Sequence, residues 1–161
     1  MLEKATTLCE AAYGTLFTYD GECFHAVALR GVPAAFAEAL SAPVRAEPGA
    51  ALYRIERGER FAHFADVANE AAYKGPAGSV LVELGGARSA LAVPLRRYDA
   101  LLGAFAIYRQ EVHPFSEKQI ALLQNFAAQA VIGWRTLGSL RRRAKLWSSE
   151  LWAEVGDGVK G

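Results

Sequence analysis

Three stretches of the sequence are almost wholly apolar, and they constrain the fold more than any other feature. They cover residues 23–29, 89–95 and 101–109 and combine alanine with the β-branched, aliphatic and aromatic residues that are typical of strands. A strand with one face in water alternates apolar and polar residues, and these three stretches do not. The sequence therefore predicts a sheet whose two faces are both covered by other elements.

The same strands predict that the two faces differ, because successive side chains of a strand point to opposite faces. The small face consists of Ala26, Ala28, Ala90, Ala92, Ala104 and Ala106, and the large face consists of Val27, Leu29, Leu91, Val93, Leu95, Phe105 and Ile107. A row of alanines either lets helices with bulky side chains, such as Phe126 and Trp134, approach closely or leaves a hollow for a ligand. Since protein interiors rarely leave voids unfilled, we favour close helix packing.

The remaining periodicities place helices before, between and after the strands, which predicts an α+β domain. We expect helices over residues 2–12, 33–40 and 50–57, further strands over 15–19 and 61–64, and helix and loop over 66–87. Gly14 is predicted to end the first helix, and Asp20-Gly21 is predicted to form the turn of a hairpin. Pro94 suits a strand end or a sheet edge, where its missing N–H costs no ladder bond.

A long amphipathic helix is predicted near the end of the chain. Ser116 as N-cap and Gln119 three residues later form a capping box, and Phe115 precedes it as a possible staple. Apolar residues then recur at steps of three and four, the spacing of a helix that packs on another helix. A helix that runs far beyond one domain needs a partner, and a second copy of the chain is the simplest one.

We therefore predict a homodimer through the terminal helices. Its interface residues are Leu2, Cys9, Leu123, Ala127, Ala130, Trp134 and Leu137. Because Gly133 and Gly138 weaken the helix, we expect fraying or a bend after about residue 137. The predicted domain covers residues 1–137, and residues 138–161 form a C-terminal helical extension or frayed tail whose basic run is solvated.

Charge and cysteine content exclude several classes of protein. Lys and Arg number 18 against 17 for Asp and Glu, so the net charge of +1 offers no field to attract nucleic acid. The two cysteines are too few for a disulfide scaffold, and neither a signal peptide nor a membrane-spanning stretch is evident. We expect a cytoplasmic protein with no membrane insertion. The spacing of its histidines and cysteines predicts no metal site, no cofactor and no catalytic residue.

Five segments resemble the GAF domains, which are ligand-sensing input modules of bacterial sensor kinases and nucleotide cyclases. The segments are residues 14–20, 28–31, 89–95, 102–109 and 114–120, and the likeness covers about residues 2–137. The resemblance implies a GAF-like (profilin-like) antiparallel sheet, with terminal helices on one face and a ligand pocket under residues 66–87 on the other. It also implies a non-catalytic signal-transduction module in a two-component system, with a sensor kinase or cyclase as a possible partner.

The special chemistries of this family do not match the sequence. Residues 69–71 differ from the motif of the cyclic-nucleotide-binding members. Chromophore attachment would need a cysteine followed by histidine, whereas Cys9 precedes Glu10 and Cys23 precedes Phe24. A thiol-dependent methionine sulfoxide reductase would need cysteines in the later half, so an enzyme of that kind is a remote alternative. A dimerisation and relay module without a ligand is the closer alternative.

A small molecule of unknown chemistry is thus the expected ligand. The polar candidates to bind it surround the variable segment and are Tyr53, His63, Asp66, Tyr73, Glu83 and Arg88. Arg88 could clamp a carboxylate or phosphate in a bidentate geometry. Ordinary structural roles compete with this interpretation: Asp66 would cap the next helix, Arg88 would end a strand, and His63 would be a structural histidine.

Overall fold

The apolar stretches form the centre of one five-stranded antiparallel sheet. The structure, a computed structural model, describes residues 2–75 and 79–137, and for residues 79 and 133–137 it describes the backbone only. The helices are α1 (Leu2–Leu8), α2 (Ala34–Ala39), α3 (Ala51–Glu56) and α4 (Glu117–Leu137). The strands are β1 (Tyr13–Tyr19), β2 (Phe24–Arg30), β3 (Ala62–Phe64), β4 (Ser89–Arg97) and β5 (Ala100–Arg109). They lie in the order β2-β1-β5-β4-β3.

The predicted α+β class is confirmed, and the variable segment contains helical turns as expected. These are 3₁₀ turns at Val67–Asn69 and Ala71–Tyr73, followed by a π-helical stretch at Ser79–Leu84. The predicted tail at 138–161 lies outside the described residues, and the division of the chain at residue 137 stays a prediction.

The first helix is shorter than predicted, and Gly14 does not end it. The helix ends at Leu8, where the left-handed Glu10 (φ 54°) turns the chain, and β1 begins at Tyr13. A Cβ at Gly14 would lie 2.7 Å from Cγ2 of Thr6. Gly14 therefore serves close packing of α1 against β1.

The large face of the sheet is covered by α1 and α4. Its core is made of Leu2, Ala5, Cys9, Leu16, Leu91, Val93, Leu95, Phe105, Ile107, Phe115, Leu123, Phe126, Ala127 and Ala130. The capping box is confirmed, because the Ser116 N–H donates to Gln119 Oε1 (2.9 Å) and the Gln119 N–H donates to Ser116 Oγ (3.2 Å). This face is called the packed face below.

This packing corrects two predictions. Leu2, Cys9, Leu123, Ala127 and Ala130 are buried against the chain's own sheet, so they are intramolecular core residues and offer no surface to a second copy. The side chains of Trp134 and Leu137 lie outside the described part of the structure. The helix that carries Phe126 also packs on the large residues, so the alanines do not serve its close approach.

The alanine face is covered instead by α2, α3 and the helical turns of residues 67–84. Ala26, Ala90, Ala92, Ala104 and Ala106 lie on it, whereas Ala28 packs with the opposite core. The reason is a β-bulge: Leu16 of β1 pairs with Ala28 and Phe17 pairs with Ala26, which leaves Val27 as the extra residue.

Strand β3 is short, and its length exposes part of β4. It pairs with residues 90–92 of β4 only. Pro94 lies beyond that pairing and faces Ala104 of β5 on the other side. Among the described residues no strand pairs with β4 past residue 92 on this side, so Pro94 lies at a sheet edge, as the sequence predicts.

The buried side chain of Arg109 connects the end of β5 to both terminal helices. Its guanidinium donates to the carbonyl oxygens of Cys9 (2.8 Å) and Glu10 (3.1 Å), just after α1. It also donates to the carbonyl oxygens of His113 (2.6 Å) and Pro114 (3.1 Å), just before α4. The Phe115 ring lies against it, 4.1 Å from ring centre to Cζ. A cation with these carbonyl partners stabilises one relative placement of the two helices.

Candidate ligand-binding site

A cavity of about 330 Å³ lies over the alanine face of the sheet. Its floor is formed by Ala90, Ala92 and Ala106. In register, Ala92 of β4 lies between Ala62 of β3 and Ala106 of β5, so three adjacent strands carry alanine in one row. Because these side chains end at Cβ, they leave space that larger residues would fill.

The walls of the cavity come from the elements that cover this face. They are formed by Phe17, Phe36, Ala39, Leu40, Ala50, Ala51, Leu52, Tyr73, Val80, Leu81 and Tyr108. Residues 43–47 line one side of the opening. Val44 fixes this loop on β2, since the Phe24 N–H donates to the Val44 carbonyl (2.8 Å) and the Val44 N–H donates back (2.7 Å).

The polar groups of the cavity are few, and they divide into an inner and an outer set. Inside are the phenols of Tyr73 and Tyr108; the Tyr73 oxygen accepts from the Ala51 N–H (2.8 Å). Burial raises the pKa of Tyr73 to about 12 and also raises the pKa of Tyr108, so the interior disfavours charge. At the rim are the charged side chains of Arg45, which is exposed, and Glu47, which is half-buried.

An aromatic cluster supports the end of the cavity that lies nearest to α2. The ring of Tyr13 stacks on that of Tyr108 with centroids 4.9 Å apart, and Phe36 meets both edge-on. A Cβ at Gly85 would lie 2.6 Å from the Tyr13 hydroxyl, so only glycine allows this approach. The buried Tyr13 hydroxyl has no hydrogen-bonding partner in the described part of the chain.

Of the six predicted ligand-binding residues, only Tyr73 lines this cavity. Asp66 and Arg88 form a bidentate ion pair instead, with Nε to Oδ1 at 2.9 Å and Nη2 to Oδ2 at 2.7 Å. Asp66 also accepts from the Ala68 N–H and so caps the 3₁₀ turn. The hydrogen bonds from Arg88 lower the pKa of Asp66. Both residues therefore have the structural roles weighed in the sequence analysis.

The other three predicted residues also lie outside the cavity lining. His63 of β3 turns to the packed face, where its Nε2 accepts from the Phe115 N–H (3.0 Å). Burial, with the Arg109 charge adding to it, lowers the pKa of His63, which keeps the ring neutral and able to accept. The Tyr53 ring lies 5.7 Å from Cζ of Arg57, and Glu83 is exposed.

Sequence reasoning missed the apolar walls and the loop at the rim. Phe17, Phe36, Leu40 and Leu52 carry no polar group, and in a sequence such residues look the same whether they line a cavity or fill a core. The alanine row was the available signal, because small residues on one face of a sheet between large neighbours predict either close packing or a hollow. Residues 43–47 have no periodicity, and only their pairing with β2 places them at the opening.

Both cysteines are free. Cys9 is fully buried, its thiol donates to the Gln119 carbonyl (3.6 Å), and burial raises its pKa to about 11. Cys23 is half-buried and unpaired. Within residues 2–75 and 79–137 no three His, Cys, Asp or Glu side chains gather as metal ligands. Across the same ranges, none of the helices is long and apolar enough to cross a membrane.

Solved structures share this fold. A domain of a putative two-component sensor histidine kinase from Sinorhizobium meliloti 1021 has a TM-score of 0.69 at 17% identity, covering 88% of this chain and 90% of its own. A GAF domain/HD domain protein from Geobacter sulfurreducens has a TM-score of 0.67 at 19% identity, covering 81% and 84%. The GAF-B domain of DevS from Mycobacterium smegmatis has a TM-score of 0.64 at 22% identity, covering 88% and 92%.

At these identities the structural likeness shows the fold alone. No curated protein matches the chain by sequence. The family model described as GAF domain matches residues 1–134, which is most of the sequence. GAF domains are sensory modules that commonly bind ligands in signal transduction. The chain therefore belongs to the GAF domain family.

Proposed function

We propose that this chain is a non-catalytic sensor that binds a small molecule in the cavity over its alanine face. The observation that carries the proposal is the cavity itself, since interiors are close-packed and a space of about 330 Å³ has the size of a ligand site. Its lining is mostly apolar with a few polar groups, which is the usual composition of such sites. On the packed face of the same sheet, by comparison, large side chains fill the space between the strands and the helices.

The geometry of β5 supports relay of the bound state to the terminal helices. Tyr108 lines the cavity, and the next residue, Arg109, holds the carbonyls that end α1 and precede α4. A shift of Tyr108 on ligand binding would be passed to both α1 and α4 through Arg109. The sensor kinase among the structural neighbours makes a kinase or another effector domain the proposed receiver of this signal.

The experiment is a melting-temperature screen against metabolites and drug-like fragments. Hits should raise the melting temperature, because a ligand that binds only the folded state stabilises it. Ala92→Leu, which fills the floor, should abolish each response, and Ala121→Leu on the exposed face of α4 should preserve it. For a hit, amide exchange at residues 9–12 and 113–120 should change. A screen without hits, or hits that Ala92→Leu leaves intact, would contradict the proposal.

A second candidate function is dimerisation through α4, by a face other than the predicted one. Four exposed residues of this helix recur at steps of four and three: Ala121, Asn125, Ala128 and Ile132. Ile132 is 61% exposed, which is unusual for a residue of its size. Sedimentation should show a dimer that Ile132→Glu weakens and that Val112→Glu, at an exposed apolar residue outside α4, does not. A monomer at high concentration would exclude this function.

The cytoplasmic location stays a prediction.

A further inference from the structure

We propose that the ligand enters the cavity with an uncharged body of about two fused rings and presents a hydrogen-bond acceptor on that body to the phenol of Tyr73. In this arrangement the rings lie on the alanine floor, and an oxygen or ring nitrogen accepts the Tyr73 proton. The inference rests on the proposed function and specifies its ligand. It is carried by the size and lining of the cavity and by a buried donor that no group of the described residues satisfies.

The floor and walls of the cavity select an apolar body of limited size. Ala90, Ala92 and Ala106 form the floor, and Phe17 and Phe36 contribute aromatic walls. An apolar cavity of roughly 150 Å³ accommodates benzene, and this one measures about 330 Å³. A body of two fused rings therefore fits its volume.

The interior of the cavity gives no partner to a charged group. Among the described lining residues the ionised side chains are Arg45 and Glu47, which lie at the rim and have opposite charges. They favour neither an anion nor a cation. A charge placed over the alanine floor would lose its hydration without gaining an ionic partner. The part of the ligand that enters the cavity is therefore uncharged.

The phenol of Tyr73 is a buried donor whose proton has no acceptor. The side chain lines the cavity and is 8% exposed, and its oxygen accepts from the Ala51 N–H (2.8 Å), which leaves its own proton to be donated. Burial, and then the charges of Glu70 and Glu47, raise the pKa of this phenol to about 12, so the proton stays on the oxygen at neutral pH. Within the described parts of the chain, neither carboxylate nor any other group accepts that proton.

A ligand acceptor complements this phenol better than a ligand donor does. Folded proteins satisfy nearly all of their buried polar groups, so a free phenol proton beside a cavity points to an acceptor that occupies the cavity. A ligand N–H would instead meet the Tyr73 oxygen, which already accepts from the Ala51 N–H. A sugar or a nucleotide carries many hydroxyls, and these would find few partners among the aliphatic walls. A ring carbonyl, a ring ether or a ring nitrogen is the group that fits.

Quinoline, isoquinoline and indole test the assignment, because all three consist of two fused rings and partition similarly between water and oil. At about pH 8 quinoline and isoquinoline are uncharged and only accept a hydrogen bond, whereas the N–H of indole only donates one. In isothermal titration, quinoline or isoquinoline should bind about three- to tenfold more tightly than indole, which is the range of a neutral hydrogen bond. Added salt should leave this preference unchanged, because no charge takes part in it.

The variant Tyr73→Phe separates the acceptor contact from the cavity. It removes only the hydroxyl, so the preferred compound should bind no better than indole, while indole binding stays unchanged. Tyr53→Phe, at a tyrosine outside the cavity lining, should preserve the preference. Because Tyr73→Phe also removes the acceptor of the Ala51 N–H, a measurement on the wild type accompanies it. In wild-type protein carrying ¹³C at the tyrosine Cζ atoms, the preferred compound should shift the Tyr73 resonance and leave that of Tyr53 in place.

Three results would overturn the proposal: indole binding at least as tightly as both quinoline and isoquinoline, a preference that survives Tyr73→Phe, or a Tyr73 resonance that does not move. If none of the three compounds binds while other screen hits disappear in Ala92→Leu, the ligand class is wrong and the sensor proposal stands. A screen without any hit defeats both.

Discussion

The two faces of the sheet are built from alternate residues of the same strands, and they differ in what covers them. On the packed face, Leu91, Val93 and Phe105 are fully buried beneath α1 and the long helix α4. On the other face, Ala92 and Ala106 meet short helical turns and a loop, which stand over a cavity. One strand pair thus supplies both a rigid support and a space, because side-chain size alternates along it.

The comparison teaches that close packing and open space lie on opposite sides of one layer. On the packed face, the 21-residue helix α4 buries a continuous apolar stripe against the sheet. On the other face, short helices, helical turns and the loop of residues 43–47 leave a cavity between themselves and the sheet. Mutations of equal chemistry should therefore have unequal effects on the two faces.

The largest effect is expected from a deletion on the packed face. Phe105→Ala should lower the free energy of unfolding by about 3–5 kcal/mol, because it removes a fully buried ring and leaves a cavity under α4. Denaturant titration measures the change. The control is Tyr98→Ala, whose side chain is 82% exposed and whose loss should cost no more than about 0.5 kcal/mol. A cost below about 1.5 kcal/mol for Phe105→Ala would mean that this face is loosely packed.

An intermediate effect is expected from adding the same atoms to the two faces. Ala127→Leu forces a larger side chain between α4 and the sheet and should cost about 1–3 kcal/mol. Ala92→Leu places the same group into the cavity and should change the free energy of unfolding by less than about 1 kcal/mol, in either direction. Equal costs for the two variants, measured by thermal or denaturant unfolding, would remove the distinction between the faces.

The smallest effect is expected from the pH dependence of one contact on the packed face. The pKa of His63 is lowered in the folded state, so its contribution to stability is complete above pH 6.5 and is lost as the pH falls through the folded pKa. Protonation of Nε2 ends its acceptance from the Phe115 N–H. The free energy of unfolding should therefore fall between pH 7 and pH 5 more steeply for the wild type than for His63→Gln. Parallel curves would show that His63 does not titrate there.

The sequence predicts the layers of the fold better than it predicts the site. Alternation in β4 and β5 correctly separates alanines from large residues, and Ser116 and Gln119 correctly mark the start of α4. The β-bulge at Val27 in β2 could not be predicted, because an extra residue does not interrupt the pattern of an apolar run. This bulge moves Ala28 to the other face of the sheet. The stripe on α4 is also real, but a stripe that fits a second helix fits the chain's own sheet equally well.

The site was harder to predict because its residues share no pattern. Polarity points to Asp66 and Arg88, which neutralise each other, and does not point to Phe36 and Leu40, which form walls. Arg45 lies in an aperiodic loop, so its position depends on long-range pairing between Val44 and Phe24. Whether the alanine face is closely packed or hollow depends on the elements that cover it. Here those elements are short, and they leave a cavity.

The proline at the free half of β4 has a consequence for how copies of this domain can associate. An unpaired strand invites another chain to extend the sheet, which leads to uncontrolled polymers. Here Pro94 removes one donor from that border, and Arg96 and Arg97 follow it with positive charge that repels an identical border. Growth of the sheet by strand addition is thereby discouraged along this side.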